Sequence, residues 1–375
     1  MRPTASKLAA GILSLCFFAS SSFAQQDEIN VVTTAVPFLR ISPDARAGGM
    51  GELGLATSPD ATAGFWNIGK VAFNESKGGI SATYTPWLKD LVQDVFLASA
   101  SGYYKFDENQ ALNLGFRYFS LGNIQFTDGT GQLQGTGKPR EFAVDLGYSR
   151  KLSDKLGLGI SLRYINSDLA SGAASGGNTY KVGSSVAGDL GLYYNGKDEA
   201  GDGFTFGAAI SNLGAKIAYT DNADQKDFIP ANLGIGGTWN KSFDEQNKIT
   251  IGIDLNKLLV PALKVGASEQ EVEEYRRKGV ASSWFSSFSD FPGQANASIG
   301  AEYWYNNQFA FRAGYFFEDK SRGNRRYFTA GLGLKYNVFG LNFSYLAPSG
   351  SGVTRNPLSN TLRFSILFDL DGGGE

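Results

Sequence analysis

Residues 156–164 read LGLGISLRY, and this stretch indicates the fold class most clearly. Every second position carries a large apolar or aromatic side chain, namely Leu156, Leu158, Ile160, Leu162 and Tyr164. Small or polar residues stand between them. Because successive side chains of a β-strand point to opposite faces, a period of two predicts a strand with one apolar and one polar face.

Segments of this kind, each of roughly ten residues, follow one another through most of the chain. We count about fourteen. They are predicted to start near Gly79, Asp94, Gln110, Arg140, Lys155, Ser185, Gly203, Ala231, Lys248, Gln294, Phe309, Tyr327, Leu341 and Thr361. An even number is typical of single-chain bacterial outer-membrane barrels, although a soluble sandwich or propeller would also alternate.

The connections between these segments alternate between short and long. The short ones are 106–109, 151–154, 196–202, 242–247, 306–308 and 337–340. The long ones are 121–139, 168–184, 214–230, 257–293, 318–326 and 347–360. Outer-membrane barrels have short periplasmic turns and long outer loops. The sequence therefore predicts an all-β fold, a 14-stranded antiparallel transmembrane β-barrel whose first strand rises from a periplasmic N-terminus.

The chain opens with the features of a secretory signal peptide. Arg2 and Lys7 precede the apolar stretch 8–18, and small residues end at Ala24. No later run is apolar and uncharged enough for a membrane-spanning helix. We predict a signal peptide at 1–24, an N-terminal hatch at 25–78, a barrel at 79–370 with a long extracellular insertion at 257–293, and a periplasmic tail at 371–375.

The composition argues against most enzyme chemistry. The chain has no histidine, its one cysteine lies in the signal peptide, and its formal net charge is −2. These counts exclude Ser-His-Asp and thiol catalysis, remove the commonest zinc ligands, and give no basic surface for nucleic acid. We expect no enzyme activity, no cofactor and no metal, although a carboxylate pair acting as acid and base stays open.

Charged residues occupy the face of the predicted strands that points into the lumen. They are Arg117, Asp145, Arg163, Asp189, Asp254, Glu302, Arg312, Lys335, Arg363 and Asp369. Because buried charges need partners, we expect a network of ion pairs inside the barrel. We also expect Arg40 and Arg46 of the hatch to pair with Asp145, Asp189 or Asp254. Inward glycines, including Gly157, Gly159, Gly252, Gly300, Gly314, Gly331 and Gly333, would leave room for the hatch.

The insertion 257–293 carries a helix signature followed by aromatic residues. Ser268 and Glu271 form a capping-box pattern, which predicts a short helix after Ser268. The aromatic residues that follow are Trp284, Phe285, Phe288 and Phe291. Clustered aromatics at an exposed site suggest a surface that binds a partner. The alternative is that the rings fold over the barrel mouth or rest in the outer leaflet.

The hatch carries the most specific pattern of the chain. Residues 35–51 read AVPFLRISPDARAGGMG, and residues 56–61 read ATSPDA. This stretch closely resembles the mature N-terminus of the PorV family, the outer-membrane barrel of the bacterial type IX secretion system and a relative of FadL-like transporters. One departure is Asn67-Ile68-Gly69, where related hatches often have Asn-Pro-Gly or Asn-Pro-Ala.

The resemblance implies a role in protein secretion. A PorV-like protein would bind the C-terminal signal domain of secreted cargo at the very large, SprA/Sov-like translocon barrel. It would then deliver the cargo to a complex that contains a PorU-like sortase, while its outer face contacts outer-membrane lipid. The alternative is a PorQ-like or plain FadL-like barrel, and a FadL-like lumen would carry a small hydrophobic ligand.

Overall fold

The computed structural model describes the greater part of the chain. The described residues are 32–88, 92, 94–127, 130–171, 174–175, 178–221, 226–263, 266–290, 295–319, 323–349 and 360–370. The predicted signal peptide 1–24, the predicted tail 371–375 and Phe291 lie outside them.

Fourteen antiparallel strands form a closed barrel, as predicted. The strands are Gly78–Pro86 (β1), Val95–Asp107 (β2), Gln110–Leu121 (β3), Arg140–Lys151 (β4), Leu156–Asp168 (β5), Gly183–Asn195 (β6), Gly203–Gly214 (β7), Asn232–Ser242 (β8), Asn247–Leu258 (β9), Ala295–Tyr305 (β10), Phe309–Glu318 (β11), Arg326–Tyr336 (β12), Phe339–Pro348 (β13) and Leu362–Asp369 (β14). Each neighbours the next along the chain, and β1 also pairs with β14. Every predicted start lies within two residues of the observed one.

The two faces of each strand differ as the alternation requires. On β5, Ile160 is 52% exposed and Leu162 is 67% exposed, whereas Ser161 and Arg163 are buried. Large exposed apolar side chains on a closed barrel are what a lipid-facing surface needs. The predicted outward set Leu158, Ile160 and Leu162 is therefore confirmed.

The long connections carry the remaining regular structure. Three of them hold short ribbons, made by Ile124–Thr127 with Leu133–Gly137, Ala174–Ser175 with Asn178–Thr179, and Ile217–Ala218 with Lys226–Asp227. The insertion after β9 holds the helices Glu269–Arg277 (α1) and Val280–Ser286 (α2) and the 3₁₀ turn Ser287–Asp290. In the described ranges, no helix has the length and apolar character to span a membrane.

The N-terminal segment runs through the barrel from the loop end to the turn end. We use hatch for its described residues, 32–77; they contain the 3₁₀ turns Pro37–Arg40 and Ile68–Phe73 and the short helices Ala45–Gly49 and Ala63–Trp66. Near its start, the amide of Ala35 donates to Phe228 O (2.9 Å) in the long loop after β7. Near its end, Lys105 Nζ donates to Asn74 O (3.0 Å).

This path corrects one prediction. The first strand does begin at the short-turn end, but the described chain starts at the opposite end, where Val32 packs beside Phe228, Leu258 and Val260. The predicted periplasmic start of the mature chain is therefore wrong for residue 32, and the hatch descends to reach β1. Periodicity could not reveal this, because the hatch has no sustained alternation.

Candidate functional site

A belt of glycines on the inner wall receives the hatch backbone. A Cβ added to Gly314 would lie 2.1 Å from the carbonyl carbon of Met50, and one added to Gly207 would lie 2.2 Å from Leu55 O. Nine successive strands, β4 to β12, each contribute a glycine that faces the hatch, namely Gly147, Gly159, Gly191, Gly207, Gly236, Gly252, Gly300, Gly314 and Gly331. Six of these glycines meet main-chain atoms of the hatch at 3.0 Å or less, where no side chain fits between the two backbones. The other three, Gly147, Gly236 and Gly252, meet the hatch side chains of Ile68, Leu55 and Leu53.

The inward glycines predicted from the sequence therefore make room for the hatch, with one exception. Gly333 faces the side chains of Arg312 and Asn342 instead. The strand alternation had placed these residues on the inner face correctly. It gave no sign of which hatch residue each would meet.

Barrel side chains also hold the hatch through its main chain. Thr329 Oγ1 accepts from Gly51 N (2.7 Å) and donates to Gly49 O (3.0 Å). Asp254 Oδ2 accepts from the amides of Gly54 (2.7 Å) and Leu55 (2.9 Å). Asp254 is thus a hatch-binding residue, but it receives backbone amides and not the arginine that we predicted.

Arg46 forms the central ion pairs between hatch and barrel. Its guanidinium donates to Glu302 through Nε (3.0 Å) and Nη2 (2.8 Å), and it also reaches Asp60 of the hatch (3.0 Å). Glu302 accepts in addition from Arg312 Nε (2.6 Å) on the neighbouring strand. The structure therefore joins Arg46 to Glu302, and not to Asp145, Asp189 or Asp254.

The remaining predicted carboxylates are bound to arginines of the barrel wall. Asp145 pairs with Arg163 and, at 3.4 Å, with Arg117. Asp189 pairs with Arg163 at 2.8 Å. Arg117 also donates to Leu39 O of the hatch (3.2 Å). The predicted network of paired lumen charges is confirmed, and it offsets the cost of burying these groups.

Two sets of contacts within the hatch were not predicted from the sequence. Lys70 is buried, and its Nζ donates to Gly54 O (2.5 Å), Thr57 O (3.2 Å) and Thr57 Oγ1 (3.1 Å), which ties two parts of the hatch together. Trp66 Nε1 donates to Asp44 (2.8 Å). An irregular segment offers no period from which such contacts can be read. The burial of Lys70 could therefore be recognised only in the folded structure.

A small cavity lies at the loop end of the interior. Its volume is about 90 Å³, and its lining mixes polar residues, among them Asn232, Asn256 and Asn296, with the apolar Leu55 and Phe316. An apolar cavity of roughly 150 Å³ is the size that admits benzene. This cavity is smaller and substantially polar, so it is poorly matched to a hydrophobic ligand.

Helix α1 rests on the loop end of the barrel. It has the predicted capping box between Ser268 and Glu271. Tyr275 packs edge-on against Phe228 (5.3 Å between ring centroids), and Lys216 Nζ donates to Arg276 O (2.7 Å). The first part of the insertion therefore folds back over the mouth.

The aromatic residues that follow are more exposed. Phe285 is 78% exposed and Phe288 is 46% exposed, whereas Trp284 is partly buried. Lys257 Nζ lies 5.7 Å from the centre of the Phe288 ring. The exposed rings can serve as a partner surface or as an anchor in the outer leaflet, because both uses need accessible aromatic side chains.

Comparisons with known proteins agree with this geometry. The family model described as "Type IX secretion system protein PorV" matches residues 23–265, more than half of the chain. The P. putida toluene transporter TodX is similar in structure, with 13% identity over 89% of this chain and 99% of that one and a TM-score of 0.56. The Ralstonia pickettii toluene transporter TbuX gives 13% identity, 88% and 97% coverage, and 0.52. No curated protein matches.

Proposed function

The chain belongs to the PorV family of type IX secretion system proteins, and from this membership we propose that it binds the C-terminal signal domains of cargo and carries them to the cell surface. The chain is a FadL-like β-barrel of the outer membrane. In the proposed cycle, it receives cargo at an SprA/Sov-like translocon barrel and passes it to an attachment complex that contains a PorU-like sortase. It acts as a binding protein and not as an enzyme.

The filled interior supports a role on the outer surface. Nine strands contact the hatch through glycines, and Arg46 fixes it to Glu302. A protein-sized cargo cannot pass through a barrel of fourteen strands whose interior is occupied in this way. We therefore infer that the hatch closes the lumen and that cargo binds outside it.

The exposed part of the insertion is our proposed docking surface. Phe285 and Phe288 stand beyond α1, which is itself anchored on the mouth by Tyr275. Aromatic side chains are frequent among the interface residues that contribute most to binding. We propose that Trp284, Phe285, Phe288 and Phe291 contact the translocon or the cargo domain.

A second candidate is transport of small hydrophobic ligands. It rests on the fold shared with two proteins that are described as toluene transporters. The small, partly polar cavity and the bound hatch argue against it, because about 90 Å³ is less than the roughly 150 Å³ of an apolar cavity that admits benzene. Transport of such a ligand through the lumen would require the hatch to move.

The experiment replaces Trp284, Phe285 and Phe288 with serine in cells that lack the wild-type protein. We expect the variant to insert in the outer membrane but to lose co-purification with the translocon and to leave cargo unsecreted. The matched control is Phe243→Ser, which removes an exposed aromatic side chain (64%) from a short turn at the opposite end.

Normal secretion by the triple variant would refute the docking surface. Normal secretion by cells that lack the whole protein, together with slower uptake of toluene, would refute the cargo role and favour transport. If the triple variant instead fails to insert, the aromatic side chains act as a membrane anchor and the docking proposal is wrong.

A further inference from the structure

Polar side chains form a continuous band inside the barrel near the loop end. Ser211 is paired in register with Asn232, Asn256 with Asn296, and Asn296 with Glu318, so the band crosses β7 to β11 at one level. Asn232 Nδ2 donates to Asn256 Oδ1 (2.9 Å). Four of its members, Ser211, Asn232, Asn256 and Asn296, line the cavity of about 90 Å³. Its amides can both donate and accept hydrogen bonds.

Two guanidinium groups at the end of the band share one carboxylate. Glu318 is held by Arg325 through two hydrogen bonds of 2.7 Å, which is the bidentate arrangement. Arg40 Nη2 lies 3.9 Å from Glu318 Oε1, the oxygen that also accepts from Arg325 Nη2. Among the described residues, Glu318 is the one carboxylate within 4.0 Å of Arg40, and Glu52 acts on it from a greater distance. The side chain of Arg40 is 26% exposed, and it lines the cavity.

A second carboxylate, Glu52, also lines the cavity and is paired with Arg363 at 3.0 Å. With Arg40 and Arg325 facing Glu318, three arginines and two carboxylates leave this corner positive by about one unit. A charge in a partly enclosed site is stabilised by a partner of opposite sign that can accept hydrogen bonds. The cavity wall beside Arg40 leaves space for such a partner.

Two further polar groups on the same wall have free hydrogen-bonding capacity. Ser298 is 1% exposed, and its Oγ has no hydrogen-bond partner. The side chain of Asn296 is also buried and makes no hydrogen bond with the described residues. Buried polar groups without partners are rare, and they often mark a site whose ligand or water completes them.

The size and the apolar part of the lining limit what can bind. One water molecule needs roughly 10–15 Å³ of cavity volume. A cavity of about 90 Å³ therefore holds a group of only a few heavy atoms. Leu39, Leu55 and Phe316 supply apolar contacts beside the charged corner. A ligand with a short apolar chain and an anionic end group matches this wall, since the chain would contact the apolar residues and the anion would face the arginines.

We propose that this cavity, lined by Arg40, Arg325, Asn296 and Ser298, binds a carboxylate on a short apolar stem. The carboxylate would accept from the Arg40 guanidinium and from the free donors of the amide band. The ligand can be a small aliphatic acid, or the C-terminal residue of a peptide that enters from the mouth. Both sources present the same chemistry.

The test is isothermal titration of the purified full-length mature protein in detergent micelles. The probes are sodium butyrate, its neutral analogue butyramide, and an alanine tetrapeptide with a free or an amidated C-terminus. We expect saturable binding of butyrate and at least about tenfold weaker binding of butyramide, because a charged hydrogen bond contributes roughly 1.5–3 kcal/mol.

Three variants test the residues. Arg40→Gln should weaken butyrate binding at least tenfold, and Arg40→Lys should restore part of it. Ser298→Ala should also weaken binding while the barrel still folds, since it removes a hydroxyl that has no partner. The matched control is Lys335→Gln, which neutralises a cation paired with Asp369 at the opposite end and should bind as the wild type does.

The titrations with the peptide distinguish a peptide C-terminus from a small free acid as the ligand. Tighter binding of the free-acid peptide than of butyrate supports a peptide end as the ligand, and tighter binding of butyrate supports a small free acid. Equal binding of butyrate and butyramide overturns the proposal, as does unchanged binding by both Arg40→Gln and Ser298→Ala. The absence of saturable binding of any probe to the wild-type protein also overturns it.

Discussion

Replacing Gly314 with alanine should displace the hatch backbone from the barrel wall. The added Cβ would lie 2.1 Å from the carbonyl carbon of Met50, 2.2 Å from Gly51 N and 2.6 Å from Met50 O. All three are main-chain atoms, so no side-chain rotation can relieve the contact. Either β11 or the hatch must move.

The cost follows from the contacts that would be lost. Overpacking a filled interior costs roughly 1–3 kcal/mol. Moving residues 49–51 also breaks the two hydrogen bonds of Thr329 with Gly51 N and Gly49 O, each of which contributes about 0.5–1.5 kcal/mol. We therefore expect Gly314→Ala to lower the free energy of unfolding by about 2–6 kcal/mol.

The assay is urea unfolding in detergent micelles, followed by heat-modifiable mobility and by protease cleavage of the hatch. Gly188→Ala is the matched control, because a Cβ at Gly188 would meet only Ser161 O at 3.5 Å, an ordinary contact. Alanine at a compatible glycine is neutral or stabilises by about 0.4–1 kcal/mol. Equal unfolding midpoints for the two variants, with the hatch equally resistant to protease, would show that the hatch backbone does not need glycine at this position.

Three further predictions concern the lipid face, the central ion pair and a buried lysine. Ile160→Arg should destabilise the barrel by roughly 2–4 kcal/mol if it lies near the bilayer midplane; folding into lipid vesicles as efficiently as Ile160→Leu would contradict this. Glu302→Gln should cost about 3–5 kcal/mol in urea unfolding because it leaves the buried Arg46 without its main partner, whereas Asp369→Asn, in a more exposed pair, should cost less than about 1 kcal/mol. Burial lowers the pKa of Lys70 from 10.5 to about 8, so the unfolded state binds more protons between these pH values and stability should rise with pH there. Lys70→Met should flatten the change in unfolding midpoint between pH 8 and 9.5, and an unchanged slope would count against it.

The strands, their number and their two faces follow from the amino-acid sequence alone. Alternation is a local property, and lipid on one side with a crowded lumen on the other imposes it on every strand. The lengths of the connections likewise predict an orientation in the membrane. The stretch 35–51 is specific enough to indicate the PorV family, and the family match agrees.

Which charges meet, and where the hatch runs, depend instead on the tertiary structure. Period two puts Asp145, Asp254 and Glu302 on the same face, but the partner of Arg46 depends on the closure of the barrel and on the path of an irregular segment. Ion pairs between residues 46 and 302 join distant parts of the chain, and no local pattern encodes their distance. The same holds for the start of the hatch at the loop end and for the two arginines that share Glu318. Their positions follow from how fourteen strands close around a filled interior, because only closure brings those residues within reach of each other.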